Sequence, residues 1–421
     1  MFMLDRTIAP PFARSTSFNL IKPEEVVLSN GVPIYFVPGG SQDVLKIECV
    51  MPAGRWYEEK AGAAWFAAQL LSRGTRKRDS FEIARVFDQF GAHLDINPAF
   101  DYSSVAVLTL NSSLEPVLDL FLELLTEPVF PDREFSQMRD VYLQNLSVNN
   151  EKTSYVASKV FRQNLFGDKH PYGRAVEEND VTALTTDDLL HHFSGYMHSP
   201  RIFVSGKVTA TNREMLSKQF SSLPSGHPPA AREFALSEPT AKIHLPKEGS
   251  VQSSVRFGKR SVLRKDTDYA HVLFATHILG GYFGSRLMKN IREEKGLTYG
   301  ISASLVTLLR DSYIIIGADV NKENVGLTFD EIRKELRLLR EVPVSTEELE
   351  TSRNHFIGSL QAEITTPFAH ADKIKTMNLF GLDDSFYQRL IDQVEHMNAE
   401  QIMAIANKYL HEDSFTQVAV G

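Results

Sequence analysis

Cysteine is almost missing from this chain: one residue, Cys49, in 421. A single thiol can neither close an intrachain disulfide nor supply a cysteine-based zinc site. Its setting, VLKIECVMPAG, alternates as a half-buried strand does, so Cys49 reads as a packed core thiol. Excess positive charge is missing too. The formal net charge is −8, and without a basic field nucleic acid is not an expected partner. No apolar run reaches the roughly 18 residues that cross a bilayer, so no membrane span is expected. The opening segment MFMLDRTIAPPFARSTSF puts an acid and an arginine directly after four apolar residues, with no basic stretch ahead of a long apolar core. No secretion signal is therefore expected, and the cytoplasm is the expected compartment. Histidines at the spacing of a helical metal site are also absent. His191 and His192 are adjacent, His271 and His277 are six apart, and no H-x-x-x-H occurs. These read as surface or packed side chains, and His170 in FGDKHPYGR as part of a turn.

What the chain does contain is one architecture written twice. LEPVLDLFLELLTEPVFPDREFSQMRDVYLQNL (114–146) and GLTFDEIRKELRLLREVPVSTEELETSRNHFIGSL (326–360) share an amphipathic helix, a proline turn and a second amphipathic helix. By subtraction, Pro128 and Pro343 are 215 apart, Arg139 and Arg353 are 214 apart, and Leu146 and Leu360 are 214 apart. Further on, Tyr196 and Tyr409 keep an offset of 213, and Gly206 and Gly421 one of 215. An offset held across such different segments marks a duplication. The strands VPIYFVPGG, VLKIECVM, SSVAVLTL and SYIIIGADV, with helices grouped in runs, predict an α+β chain. Each half is expected to be a largely antiparallel sheet with helices packed on one face. The expected boundaries are an extended, proline-punctuated arm (1–24), a first domain (25–220), a Pro/Ser/Gly-rich linker (221–240) and a second domain (241–421).

Two stretches carry the chemistry. GAAWFAAQLLSRGT (62–75) reads as a small-residue-rich helix running into a glycine turn. LGGYFGSRLMKNIREEKGLTYGISAS (279–304) reads as a glycine-rich loop, a helix, a glycine stop and a strand. With the duplication, they resemble the pitrilysin-like M16 zinc metallopeptidases, especially the short two-domain type that includes the mitochondrial processing peptidase. The resemblance covers most of the chain and implies two duplicated domains of the LuxS/MPP-like metallohydrolase fold. In that family the first-half helix has the form G-x-A-H-x-x-E-H, with G-T shortly after. Here Gly62, Ala64, Gly74 and Thr75 are kept, but Trp65, Ala68 and Gln69 stand where His, Glu and His would be. The family's third ligand, a later glutamate, falls near Asn145. Two imidazoles four residues apart on a helix face one metal, and the glutamate takes the proton from the bound water. Tryptophan has only an N–H donor, alanine has nothing, and glutamine offers a neutral amide oxygen that binds zinc poorly. No metal or other cofactor is expected in this chain.

The second half keeps the family pattern R-E-x-x-G-L-x-Y as Arg292, Glu293, Gly296, Leu297 and Tyr299. The resemblance implies that Arg292 and Tyr299 reach a zinc site and hold the carbonyl oxygens of a peptide. The residues themselves permit two readings. Gly296 can end the helix in a left-handed conformation, so that Arg292 in the last turn and Tyr299 at the next strand converge beyond the helix end. Alternatively, Arg292 complements the helix dipole and Tyr299 is core. The flanking match favours the first. GGYFGS (280–285) is neither G-x-G-x-x-G nor a P-loop, so no phosphate cradle is expected. The resemblance makes it a mobile loop near substrate, with Gly280, Gly281 and Gly284 as candidate substrate-binding positions; a tight turn is an equal reading. Active family members add the substrate as a strand to a sheet edge matching GAHLDINPAFDYSS (91–104), where Pro98 removes a backbone donor.

The resemblance thus implies the non-zinc subunit of a heterodimeric M16-type metalloendopeptidase. A homologous HxxEH-bearing partner would hold Zn²⁺, and Arg292 and Tyr299 would bind and polarise the peptide substrate. Alone, the chain is expected to be inactive and able to pair with itself. The alternative is a catalytically silent structural or peptide-binding subunit, like the core proteins of a respiratory complex in the same superfamily. An autonomous zinc peptidase conflicts with residues 65, 68, 69 and 145.

Overall fold

The computed structural model describes residues 7, 16–224, 226 and 232–421. Most of the expected N-terminal arm (1–6 and 8–15) and the middle of the expected linker (225 and 227–231) lie outside them. The first sheet contains β1 (Glu24–Val27), β2 (Pro33–Pro38), β3 (Val44–Met51), β4 (His93–Pro98), β5 (Ser103–Leu110) and β6 (Arg201–Gly206). Their order across the sheet is β1-β2-β6-β3-β5-β4, antiparallel except for the parallel β2/β6 pair. The second sheet contains β7 (Lys242–Leu245), β8 (Gln252–Arg260), β9 (Ile301–Thr307), β10 (Ser312–Asn321) and β11 (Thr416–Val420), in the order β7-β11-β8-β10-β9. Only β7/β11 is parallel. Both sheets are therefore largely antiparallel, as the alternating strand sequences predict.

Each sheet packs helices of its own half on one face. On β3, Leu45, Ile47, Cys49 and Met51 point to the same side, where they meet Phe66 of helix Ala63–Gln69 and Leu118 and Phe121 of helix Leu114–Thr126. On β10, Ile314, Ile316, Ala318 and Val320 play the same part for helices Tyr269–Gly280 and Val325–Glu341. The repeated prolines act as stops. Helix Leu114–Thr126 ends before Pro128 and helix Val325–Glu341 before Pro343, since proline disfavours α conformation in the residue ahead of it. The next helices, Asp132–Asn150 and Thr346–Ala362, follow in both halves, the latter capped by Ser345, whose hydroxyl accepts from Glu348 N–H at 3.2 Å.

The opposite faces are covered by exchange. Helix Thr153–Phe166 of the first half lays Ala157, Phe161 and Leu165 on Tyr313, Val418 and Val420 of the second sheet. Helix Pro367–Phe380, 214 residues on, lays Ala371, Ile374 and Met377 beside Tyr35, Val37, Val50 and Phe203 of the first. Each fully buried apolar side chain contributes about 1.5–3 kcal/mol, so these crossings are what hold the halves together. Polar pairs fix their register: Lys375 Nζ donates to both oxygens of the buried Glu48 at 2.8 and 3.0 Å, and Arg256 Nε donates to Ser158 Oγ at 3.1 Å. The described part of the N-terminal arm continues the clasp. Phe18 N–H donates to Gln388 Oε1 at 2.8 Å, and its ring lies 5.1 Å from that of Tyr387. In the linker, Phe234 is not free in solvent but meets the Trp56 ring edge to face at 5.1 Å. No helix among the described residues is long and apolar enough to cross a membrane.

Candidate functional site

The helix matching the family's zinc helix is short, Ala63–Gln69, and is followed by a 3₁₀ turn, Leu70–Arg73, and Gly74. Glu58, buried beneath its start, accepts hydrogen bonds from the backbone N–H groups of Gly62 (3.0 Å) and Ala64 (3.3 Å). Burial raises its pKa, while Arg55, Arg174 and the two N–H groups oppose that rise. This acid is thus committed to the helix end and is no free base. Trp65 packs its ring 4.8 Å from those of Phe66 and Tyr142, the latter on helix Asp132–Asn150. The indole therefore fills the gap between the two helices that carry zinc ligands in the family. Ala68 is sealed in the core, and Asn145 is exposed on the second helix. These residues do not fit a metal: an indole, a methyl and two neutral amides provide neither charge nor imidazole. Among the described residues no group of three or more His, Cys, Asp or Glu side chains is placed to hold one.

Gln69 has a different task, one that no sequence motif marks. Its Nε2 donates to the carbonyl of Ile96 on β4 at 3.1 Å. β4 is an edge strand, paired only with β5. Ala99 N–H points across the turn, donating at 2.8 Å to the carbonyl of Tyr102, the residue before β5, so alternate residues Pro98, Ile96 and Leu94 direct their backbone groups outward. The outward edge has therefore lost the donor at Pro98 and spent the acceptor at Ile96. An added peptide strand finds neither group available there.

In the second half, Met288–Glu294 winds as a wide π-type turn, with Lys295 N–H reaching back to Asn290 O at 3.1 Å. The sequence pattern predicts a plain helix. Buried Asn290, whose Nδ2 donates to Glu335 Oε1 at 2.6 Å and Glu331 Oε2 at 3.0 Å, pins the wider turn to helix Val325–Glu341. Gly296 (φ 63°) ends it in the left-handed region, as the glycine stop predicts. Arg292 lies in the last turn. Its guanidinium sits 4.6 Å from the Phe283 ring centre and 5.2 Å from that of Tyr299. Tyr299 is 90% exposed, which rules out a core role, and Phe283 is exposed as well. The side chain of Arg292 has no ion pair or hydrogen bond to any other described residue. The cluster is thus a cation held between two aromatic faces, with no side-chain donor spent on another described residue.

The glycines beside it have packing reasons of their own. A Cβ at Gly280 would come within 2.5 Å of Ala303 N and 2.7 Å of Ala303 Cβ on β9. A Cβ at Gly281 would strike His277, and one at Gly284 the Tyr282 ring. Gly280→Ala is therefore expected to lower stability by about 1–3 kcal/mol through overpacking. Urea unfolding of the variant checks this; an unchanged midpoint would return Gly280 to a purely ligand-binding account. No ring contact, ion pair or hydrogen bond among the described residues joins the Arg292 cluster to the Trp65 cluster. His192 is buried with Nε2 3.0 Å from Ala53 O, and burial holds its pKa down at about 4. His170 is buried among Trp56, Phe166 and Tyr172. Both are packed side chains.

Comparison with known proteins gives a consistent picture. A profile described as Insulinase (Peptidase family M16) matches residues 41–177, and one described as Peptidase M16 inactive domain matches residues 183–356. The chain is 23% identical over 357 residues to a protein of Helicobacter pylori called "Non-peptidase homolog YmxG", covering 82% of this chain and 81% of that one. It is 19% identical to the "Uncharacterized zinc protease YmxG" of Bacillus subtilis, covering 84% and 86%. Among solved structures, a peptidase M16 inactive domain from Pseudomonas fluorescens superimposes with a TM-score of 0.85 at 24% identity, over 95% of this chain and 98% of that one. A protease from Helicobacter pylori superimposes with a TM-score of 0.86 at 20% identity, over 96% and 100%.

Proposed function

Because the chain belongs to peptidase family M16 and has no zinc-binding side chains at the family's motif, we propose that it is the non-zinc subunit of a two-chain M16 metalloendopeptidase. One observation carries this: all the zinc-motif side chains are replaced in the half where the peptide edge is also blunted, whereas the half-buried Arg292 and the exposed Tyr299 keep their side-chain donors unused among the described residues. A chain without the family's catalytic metal site has a use for such donors only where substrate and catalytic metal come from elsewhere. The partner, a homologous HxxEH-bearing chain, supplies Zn²⁺ and the activated water. Arg292 and Tyr299 of this chain donate to the carbonyl oxygens of an extended peptide, holding it and offsetting charge that develops on the oxygen. The rings of Phe283 and Tyr299 keep the guanidinium from collapsing onto a carboxylate of its own chain.

The test is isolation of the chain from its native source. A homologous HxxEH-bearing protein is expected to accompany it, with peptide cleavage by the mixture and none by this chain alone. Turnover by the isolated chain would overturn the assignment. A second reading, a silent structural or peptide-binding subunit, draws support from the similarity to the Helicobacter protein named a non-peptidase homolog. It predicts an assembly whose activity ignores Arg292.

A further inference from the structure

We propose that His277 and His355 form a second-half binding site for a divalent transition-metal ion such as Zn²⁺. His277 lies in the last turn of helix Tyr269–Gly280 and His355 on helix Thr346–Ala362, 78 residues away in sequence. No local spacing along the chain marks such a pair. In the fold, His277 Nε2 and His355 Nδ1 are 3.3 Å apart. Two imidazole nitrogens bound to one tetrahedral zinc at about 2.0–2.1 Å stand about 3.3–3.4 Å from each other. The observed gap therefore already has the chord of a chelate. Without a metal, the same gap is bridged by an N–H···N hydrogen bond between the two rings.

The surroundings fix both rings. Tyr282 stacks on His277 (4.9 Å between centres, 12° between planes) and on His355 (4.7 Å, 28°), and its hydroxyl is 2.9 Å from Ser352 Oγ on the helix of His355. The Phe356 ring stands edge-on to His277 at 5.2 Å. The backbone of Gly281 passes so close to Nδ1 of His277 that a Cβ there would lie 2.5 Å from it, which leaves Nε2 as the nitrogen that can face outward. Metal binding through these two nitrogens needs the ring proton on the far nitrogen of each imidazole, Nδ1 of His277 and Nε2 of His355. Ser359 Oγ, 3.4 Å from His355 Nδ1, is a neighbouring oxygen donor, and water completes the shell. Two protein nitrogens make an exchangeable site, unlike a three-ligand catalytic one. Occupancy would brace Tyr282, and with it the loop whose next residue, Phe283, lies on Arg292.

The test uses the full chain stripped with chelator and titrated with Zn²⁺ by calorimetry, and with Co²⁺ by visible absorption. One saturable equivalent is expected, with the absorption of nitrogen-ligated Co²⁺. His355→Ala, an exposed position, is expected to weaken binding at least about 10-fold, a loss already seen when only a supporting partner of a metal ligand is removed. His191→Ala serves as control and leaves it unchanged. Absence of saturable uptake, or uptake indifferent to His355→Ala, would overturn the proposal. Zinc that persists in His355→Ala would count instead against a metal-free first half, so the two outcomes are distinguishable.

Discussion

Arg292→Ala, assembled with a zinc-bearing partner, is expected to reduce kcat/KM for peptide cleavage by about 100- to 1,000-fold, the range for removing one donor aimed at a developing oxyanion. The reduction should fall mainly on kcat, since the hydrogen bond strengthens as charge builds on the oxygen. Tyr299→Phe, which deletes a single neutral donor, should do the same to a smaller degree. Neither change should disturb the fold. Tyr299 is 90% exposed, and among the described residues the half-buried guanidinium contributes only ring contacts, each worth about 0.5–2 kcal/mol. Large loss of turnover with little loss of stability is the signature sought. Steady-state kinetics on the assembled pair, with thermal unfolding of the isolated variants, measures both. Equal turnover in wild type and both variants would remove the proposed role and leave the silent-subunit reading.

Sequence alone reached far into the first-order fold. The offset near 214 anticipated matched helices, and alternation in VLKIECVM and SYIIIGADV placed strands that are now β3 and β10. The crossing of helices Thr153–Phe166 and Pro367–Phe380 was not legible. Periodicity tells which side of an element is apolar, and nothing about which sheet receives it; Glu48, polar in sequence, is buried because Lys375 arrives from the other half. At the site, the replaced metal ligands were visible as residue types, and Arg292 with Gly296 as a motif. Gln69 was legible only as a lost ligand, because its hydrogen bond to Ile96 depends on where an edge strand passes. Phe283 escaped notice inside a segment read for its glycines, although its ring is half of what holds Arg292.

Asp101→Ala should be among the most destabilising single changes at the junction of the halves. Asp101, 5% exposed, follows β4 and meets the β9–β10 turn of the other half. Its Oδ1 accepts from Tyr172 Oη–H at 2.6 Å and from Arg310 Nη1 at 2.7 Å, and its Oδ2 accepts from Leu309 N–H at 3.2 Å. Arg310 in turn donates through Nη2 to Tyr57 Oη at 3.0 Å and lies 4.4 Å from the Trp56 ring centre. Burial and the adjacent carboxylate push the Tyr172 phenol above its usual range, so it remains a donor at every physiological pH. Deleting the carboxylate strands a buried hydroxyl, a backbone N–H and a half-buried guanidinium together. Removing one partner of a buried ion pair typically costs about 3–5 kcal/mol, whereas an isolated neutral hydrogen bond is worth about 1 kcal/mol. Asp101→Asn, which keeps an acceptor but no charge, should fall between the two. Because the exchanged helices still cover both sheets, the loss is expected to appear as earlier separation of the halves within a broadened urea transition. Denaturation followed by circular dichroism and by tryptophan fluorescence reads this directly, since Trp56 sits in the junction. A shift equivalent to less than about 1 kcal/mol would mean that packing by the exchanged helices, and not the Asp101 network, sets the strength of the junction.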